Sequence, residues 1–202
     1  MDKKVLRNLS YGVYVVTSRD KDKNVGCIAN SIMQVTSNPS VIAVSINHDN
    51  YTNKVIKENN KFGVSILKET TDAKIIGTFG YKSSKDTDKF DGINFKEISE
   101  IPVLENTCGY MVCKVIDTME TSTHTIFLGE VIEADDYSTE NAMTYKYYHE
   151  NLKGSSPKNA PTYEETSTSQ VDKDSKKRKW RCSICGYIHE ADELPDDFKC
   201  PI

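Results

Sequence analysis

The C-terminal stretch KWRCSICGYIHEADELPDDFKCPI, residues 179–202, constrains the fold of this chain more than any other feature. It contains Cys182 and Cys185 in a C-x-x-C-G motif and, after fourteen intervening residues, Cys200 in a C-P motif. The tight turn of a C-x-x-C-G motif directs backbone N–H groups at the sulfurs, and Gly186 relieves strain in that turn. In a reducing compartment such a cluster indicates a metal site rather than disulfides.

The thiolate ligands by themselves leave the identity of the metal open. Four thiolates in tetrahedral geometry hold either zinc or a single iron ion. Trp180, Tyr187 and Phe198 are the large side chains that can pack a small core between the two motifs. A segment this short needs a bound metal to hold its fold, so the spacing predicts a small metal-stapled domain.

The other three cysteines, Cys27, Cys108 and Cys113, lie in apolar stretches that have strand character. The separation of Cys108 from Cys113 places them on opposite faces of one strand, where they cannot easily share a metal or a disulfide. All three are therefore expected to be small buried apolar side chains.

Residues 154–178, GSSPKNAPTYEETSTSQVDKDSKKR, have almost no large apolar side chains. Such a segment cannot bury enough surface to offset the entropy lost on ordering, so a flexible linker is expected. The chain is thereby divided into a domain over residues 1–153, the linker, and the small domain over residues 179–202.

The first 153 residues consist mainly of short stretches with strand periodicity. YGVYVVTS, VIAVSIN and FGVSIL are rich in β-branched residues, and VGCIANSIMQVTS is a long strand candidate closed by Asn38-Pro39. Helical spacing occurs in NYTNKVIKENN, with Asn50 or Thr52 as its cap, and in TTDAKIIGTFG after a Thr-Thr-Asp cap. Many strands and few helices favour a barrel or a sandwich. Further strands are predicted near residues 93–98, 109–118 and 123–134.

Composition argues against several classes of protein. The formal net charge of −4 provides no basic surface for nucleic acid. The apolar runs are no longer than a strand, so no membrane association is predicted. The N-terminus has neither a sustained apolar run nor a small-residue cleavage site, which indicates a cytoplasmic protein without a signal peptide.

The pattern WRCSICGYIHE…ELPDDFKCPI resembles rubredoxin, with an aromatic residue before the first motif and Leu-Pro-Asp-Asp-Phe before Cys-Pro. The resemblance implies one iron ion that cycles between ferric and ferrous states, held here by Cys182, Cys185 and Cys200. The segment between the motifs is shorter than in free-standing rubredoxins. The fourth cysteine would follow Ile202, so the expected site has three of its four thiolates.

The larger region resembles the flavin-reductase group of FMN-binding split barrels. The resemblance rests on VGCIANSIMQVTSNPSVIAVSIN before a capped helix and FGVSIL, and on THTIFLGEV at 123–131. IANSIMQVTSNP, SINHDNYT and GTFGYKSSKD fit the flavoredoxin-like type that is fused to a rubredoxin. The resemblance covers nearly all of residues 5–150. It implies a mainly β, Greek-key split barrel, bound FMN, and a homodimer with FMN near the subunit interface.

The resemblance places the flavin among residues at strand and helix ends. Strand residues supply hydrogen bonds and ring contacts, a helix N-terminus favours phosphate, and Lys89 offsets phosphate charge. Without the resemblance, each of these positions has an interpretation that involves no ligand. Asn30-Ser31 can be an exposed strand edge, Thr52 can be only a helix cap, and the stretch around Ser83 can be a plain loop. The expected flavin contacts are Asn30, Ser31, Ile32, Met33, Ser45, Asn47, Thr52, Phe79, Gly80, Ser83 and Lys89.

His124 is the candidate catalytic residue. By resemblance it lies near the flavin ring and the nicotinamide, where it orients a carbonyl or steadies the reduced flavin; a structural histidine is the alternative. Hydride transfer depends on alignment and exclusion of water more than on acid–base chemistry, so no general-base role is assigned. Tyr145, Tyr147 and Tyr148 cover the flavin, seal a dimer contact or pack in the core.

The two domains together predict an NAD(P)H-dependent FMN oxidoreductase. NAD(P)H delivers two electrons as hydride, a single iron accepts one at a time, and FMN does both. A linker of about two dozen residues spans roughly 25–30 Å and keeps the tail at about millimolar effective concentration. The resemblance implies an external electron acceptor, such as a flavodiiron protein that reduces oxygen or nitric oxide. The alternatives are a flavin reductase that supplies a monooxygenase with reduced FMN, and a non-enzymatic flavin- and zinc-binding module.

Overall fold

The structure is a computed structural model that describes residues 3–152, 178–182, 188–191, 193–195 and 198. The strands of these residues are β1 (Tyr14–Asp20), β2 (Lys23–Ala29), β3 (Ile32–Ser37), β4 (Ser40–Asn47), β5 (Lys61–Ile66), β6 (Phe95–Ile98), β7 (Ile101–Leu104), β8 (Gly109–Glu120), β9 (His124–Asp136), β10 (Arg178–Arg181) and β11 (Ile188–Ala191). The helices are α1 (Tyr51–Asn59), α2 (Ala73–Tyr81) and α3 (Tyr145–Asn151), after a 3₁₀ helix over Lys3–Asn8.

Seven strands form one sheet in the order β2-β1-β5-β8-β9-β4-β3, and every neighbouring pair is antiparallel. The strands β2 and β3 lie at opposite edges of this sheet, yet only Asn30 and Ser31 join them. So short a connection requires the sheet to curl until its two edges meet. The mainly β architecture predicted from the sequence is therefore confirmed.

The long strand expected over VGCIANSIMQVTS is wrong as a single element. The chain leaves the β1–β2 ladder after Ala29, and the next strand begins at Ile32 beside β4. The apolar pattern continues across this break, but of β3 only Ile32 packs against the barrel core, and the other residues of the strand are exposed. Long-range pairing, which the local pattern does not contain, divides the stretch in two.

The two predicted helix starts are confirmed. Asn50 caps α1, since its side chain accepts a hydrogen bond from the N–H of Thr52 at 3.1 Å. Asp72 caps α2 and accepts from the N–H of Lys74 at 2.8 Å. Helix α1 ends where Asn60 adopts a left-handed conformation with φ 56°.

The barrel interior is filled by side chains from the inner face of the sheet and from α1. The buried members of this first core are Val16, Cys27, Ala29, Ile42, Val44, Ile46, Ile56, Phe62, Val64, Cys113 and Phe127. A second core packs α2 and α3 against β1 and includes Val13, Ile76, Phe79 and Tyr148. Cys27, Cys108 and Cys113 are buried and free of disulfides, as expected. Among the described residues, no helix is both long and apolar enough to cross a membrane.

Candidate functional site

A cleft of about 370 Å³ opens between the ends of β2 and β4, the N-terminus of α1 and the C-terminal end of α2. Its apolar wall includes Ile28, Ala29, Ile46, Ile76 and Phe79. Its polar lining includes Asn30, Ser45, Asn47, Asn50, Ser83 and His124. An apolar wall with a few convergent hydrogen-bonding groups is typical of a site for a small molecule or cofactor.

The pairing of β4 with β9 brings three of these polar residues together. Asn47 lies opposite His124, and Ser45 lies opposite Ile126. Ile46, between the two polar residues of β4, belongs to the barrel core and is 2% exposed. Because side chains alternate along a strand, Ser45, Asn47 and His124 share the outer face of the sheet.

The turn from β4 into α1 places two amide side chains at a helix N-terminus. Asn47 Oδ1 accepts a hydrogen bond from the N–H of Asp49 at 2.8 Å, and Asn50 caps the helix. The first turn of this nine-residue helix contains no acidic residue. Its N–H groups and dipole therefore favour an anion such as phosphate. Asp49 and Lys82 also line the cleft and carry opposite charges.

The crossing from β2 to β3 forms another side of the cleft. Asn30 is 5% exposed, and its Oδ1 accepts a hydrogen bond from the Ser31 hydroxyl at 3.0 Å. The carbonyl of Ser31 in turn accepts from the N–H of Ser45 at 3.1 Å. These bonds fasten the crossing to β4 and hold the Asn30 side chain at the cleft.

Aromatic side chains from α2 and α3 close the remaining side. Phe79 packs edge-to-face on Phe90 with 5.3 Å between ring centroids. The hydroxyls of Tyr81 and Tyr148 lie 3.2 Å apart, and Tyr145 stacks on Tyr148 at 6.0 Å. Tyr81, Tyr145 and Tyr148 all line the cleft. Helix α3 therefore contributes to the cleft as well as to the second core.

Of the expected flavin contacts and the candidate catalytic residue, seven line this cleft, namely Asn30, Ser45, Asn47, Phe79, Gly80, Ser83 and His124. Five others lie outside its lining. The backbone carbonyl of Ser31 bonds to the N–H of Ser45, and Ile32 packs against the barrel core. Met33 is 65% exposed on the outer face of the sheet. Thr52 and Lys89 are buried behind the walls, with 0% and 2% of their surface exposed.

The sequence analysis did not propose as site residues five others that also line the cleft, namely Cys27, Ile28, Tyr51, Ile76 and Lys82. The two-residue period of a strand offered one signal, because Ile28 precedes Asn30 by two positions. For Ile76, the helical period relates it to Phe79 three residues later. The other three positions had no local signal.

The residues of the cleft fit a flavin cofactor. Ile28 offers apolar surface for a planar ring, and the buried amide of Asn30 suits the polar edge of that ring. The start of α1 suits a terminal phosphate, as described above. The volume of the cleft, its apolar wall and its hydrogen-bonding groups thus agree with a flavin ligand.

The tail is described only in part. Trp180 on β10 pairs with His189 on β11, and the His189 ring lies 4.3 Å from that of Phe198, centroid to centroid. Cys182 follows β10 directly and is half-buried. The other predicted ligands, Cys185 and Cys200, lie outside the described residues, as do Gly186, Tyr187 and most of the predicted linker.

The sequence profile of the flavin reductase like domain matches residues 6–156. The chain belongs to the flavin reductase-like family. A second profile, described as the rubrerythrin, rubredoxin-like domain, matches residues 180–202. Both matches confirm the resemblances seen in the motifs, and the membership confirms that this flavin reductase-like chain is an oxidoreductase.

Two relatives are similar over nearly their whole length. The high molecular weight rubredoxin of Moorella thermoacetica is 37% identical over 221 residues, covering 100% of this chain and 95% of that protein. The ferric-chelate reductase (NAD(P)H) of Archaeoglobus fulgidus is 37% identical over 168 residues, covering 82% of this chain and 99% of that protein. The first relative matches both regions of the flavin reductase-like chain.

A solved structure agrees with the fold. The crystal structure of flavoredoxin from Methanosarcina acetivorans has a TM-score of 0.60 and 24% sequence identity to this chain. The match covers 64% of this chain and 70% of that chain. At this identity the likeness shows the fold alone, and it confirms the split barrel.

Proposed function

We propose that the chain is an NAD(P)H-dependent FMN oxidoreductase that passes electrons through a rubredoxin-type iron centre to an external acceptor protein. One observation carries this proposal. A flavin reductase-like region with a cleft that fits FMN and a rubredoxin-like region occur in one chain, at 6–156 and 180–202. The acceptor is a protein with its own metal or flavin centre, and a flavodiiron protein is the proposed example.

The cleft residues bind and orient the cofactor in this proposal. The N-terminus of α1 holds the phosphate, and Asn30, Ser45 and Asn47 hold the ribityl chain and the polar ring edge. Phe79 and the tyrosines of α3 exclude water from the ring. His124 orients a carbonyl at the reacting side, which requires alignment rather than proton transfer. Bound FMN would supply the chemistry that converts a two-electron donor into single electrons.

The tail would hold one iron ion on the thiolates of Cys182, Cys185 and Cys200. Thiolates suit iron in tetrahedral sites, and an ion held this way exchanges one electron at a time. A cytoplasmic location belongs to the same proposal, because a reducing compartment keeps these thiols available for metal.

An exposed apolar surface on the outer face of the sheet supports a homodimer. Met33, Ala43 and Leu128 are successive cross-strand neighbours on β3, β4 and β9. Met119 on β8 faces Ile126 on the same side. Met33 and Met119 are 65% and 62% exposed. Exposed apolar patches of this kind mark interaction sites, and this one continues into the face that carries the cleft.

A second candidate function is a reductase whose flavin domain acts alone, on a ferric chelate or by releasing reduced flavin to a partner enzyme. The similarity to the ferric-chelate reductase favours it, because that match covers 99% of the relative but 82% of this chain. The two candidates differ in whether the tail carries electrons.

An anaerobic absorption spectrum of the purified full-length protein, before and after NADH or NADPH is added, separates them. The electron-relay proposal expects both flavin and ferric-thiolate bands, and expects both to bleach. The variant Cys182→Ser should lose the iron band and keep a reducible flavin, whereas the control Cys108→Ser should keep both. Bleaching of flavin with no iron band in the natural protein would favour the second candidate. No oxidation of NADH or NADPH, even when FMN is added, would overturn both.

A further inference from the structure

Lys89, in the segment after α2, is a buried cation behind the cleft wall. It is 2% exposed. Its Nζ donates one hydrogen bond to the carbonyl oxygen of Gly26 at 2.7 Å and another to that of Phe79 at 3.1 Å. Nζ also lies 5.8 Å from the centroid of the Phe79 ring. Phe79 lines the cleft, and so does Cys27, the neighbour of Gly26.

Carbonyl dipoles, rather than a carboxylate, surround this charge. In the part of the chain that the structure describes, Lys89 forms no ion pair, whereas Lys68 pairs with Glu140 at 2.7 Å. Burial lowers the pKa of Lys89 to about 8, so the ammonium form still predominates at pH 7. A positive charge is thus held in the protein interior without a formal counter-charge.

The position of this charge is fixed by its surroundings. Ser84 Oγ accepts a hydrogen bond from the N–H of Gly26 and donates one to its carbonyl, both at 3.1 Å. A Cβ atom at Gly26 would lie 2.9 Å from Cε1 of Phe79, so strand and ring are in close contact. The loop that carries Lys89 is therefore fastened to β2 on one side and to the end of α2 on the other.

Direct contact with phosphate is a poor explanation for Lys89. Its side chain is outside the lining of the cleft, and two carbonyl oxygens already receive hydrogen bonds from its Nζ. Lys82 does line the cleft, but it is exposed and its charge is screened by solvent. The thiol of Cys27 does not provide a counter-charge. Burial raises the pKa of this thiol and outweighs the opposing effect of Lys89, so the thiol stays neutral.

We propose that Lys89 acts as a fixed positive charge that makes the protein prefer reduced FMN over oxidised FMN. The inference rests on the proposed function, since it requires FMN in the cleft. Oxidised FMN takes up two electrons and one proton, the content of one hydride from NAD(P)H, so its ring gains one negative charge. A charge held in a water-poor wall stabilises such an anion without touching it.

The test compares full-length variants Lys89→Gln and Lys89→Arg with the control Lys85→Gln, which removes an exposed cation from the same loop. Each apoprotein is titrated anaerobically with oxidised FMN and with dithionite-reduced FMN. We expect Lys89→Gln to lower the preference for reduced FMN on the order of tenfold, from the Coulomb energy across a protein wall. For a two-electron couple this is a shift of about 30 mV. Lys89→Arg should restore the preference, and Lys85→Gln should leave it unchanged.

Equal preferences in the natural protein and in Lys89→Gln would overturn the inference while leaving the proposed function intact. Failure of the natural protein to bind FMN would instead remove the proposed function, and the inference with it. If Lys89→Gln does not fold, the preference is measured in the natural protein from pH 7 to 10. Cys27 is the titratable group that faces Lys89 from β2, and Phe79, from α2, is uncharged. The preference should fall above about pH 8, and a constant preference would contradict the inference.

Discussion

Asn47 and His124 are direct cross-strand partners at the adjoining ends of β4 and β9, and both line the cleft. The imidazole Nδ1 of His124 lies 2.8 Å from the hydroxyl of Thr123. The carbonyl of Thr123 accepts a hydrogen bond from the N–H of His48 at 2.9 Å. Segments far apart in the sequence therefore set the position of the imidazole together.

This arrangement predicts that His124→Ala affects turnover more than cofactor binding. We expect NADH oxidation to fall roughly tenfold or more, because a group that aligns the reactants is lost. The dissociation constant of FMN, measured by fluorescence titration, should change by less than about threefold. His48→Ala is the matched control, since His48 is exposed and pairs with Glu120 outside the cleft. Equal losses in the two variants would argue against a role at the reacting centre.

The N-terminus of α1 predicts an electrostatic effect on FMN affinity. Asn50→Asp keeps a side-chain cap but adds a negative charge where the phosphate is proposed to bind, so affinity should fall roughly tenfold at low ionic strength. The loss should shrink as salt is added. Asn50→Ser, which also caps, should bind FMN nearly as well as the natural protein. A salt-independent affinity in Asn50→Asp would place the phosphate elsewhere.

Two glycines allow a matched test of packing. A Cβ at Gly129 would lie 2.5 Å from Phe62 Cζ and 2.8 Å from the Cβ of Cys113, whereas one at Gly80 meets Ile28 at 3.5 Å. Gly129→Ala should therefore lower the free energy of unfolding by about 1–3 kcal/mol. Gly80→Ala, in a helix with room for a methyl group, should be neutral or stabilising by up to about 1 kcal/mol. Urea unfolding measures both, and equal effects would contradict the packing.

Because Lys89 is buried, we expect the free energy of unfolding to increase as the pH rises above about 8. Its pKa is lowered by burial from 10.5 in the unfolded chain to about 8 in the folded protein. Between these values the unfolded chain binds more protons, so deprotonation favours the folded state. Relative to Lys89→Gln, the natural protein should gain up to about 3 kcal/mol of unfolding free energy between pH 8 and 10.5. Urea midpoints at pH 7.5 and 10 test this, and a pH-independent difference would contradict a buried ammonium.

Negative charge placed on the exposed apolar surface around Met33 and Met119 should disrupt the proposed dimer. Met33→Glu combined with Met119→Glu should convert the proposed dimer to a monomer, because two carboxylates per subunit would be buried in the interface. Light scattering gives the mass in solution. Gln34→Glu is the control, since Gln34 lies on the other side of the same strand and is paired with Ile42. An unchanged mass in the double variant would place the interface elsewhere.

Local signals identified the helix starts, because caps act within a few residues. The cap at Asn50 is one hydrogen bond across two positions, and it was predictable. The break at Asn30 and Ser31 was not, because it arises when β2 and β3 pair at opposite sheet edges. Ile32 and Met33 were proposed together as ring contacts, but the register sends one into the core and the other to the outer face.

The sequence by itself determined the family, the two-region organisation and most of the polar residues around the cleft, since these depend on motifs that remain together along the chain. Tertiary structure alone decided that Asn47 meets His124, that α3 closes the cleft, and that Lys89 is buried behind it. Each of these depends on strand register or on packing between distant segments. A linear pattern does not encode such contacts, because they form only when the sheet closes on itself.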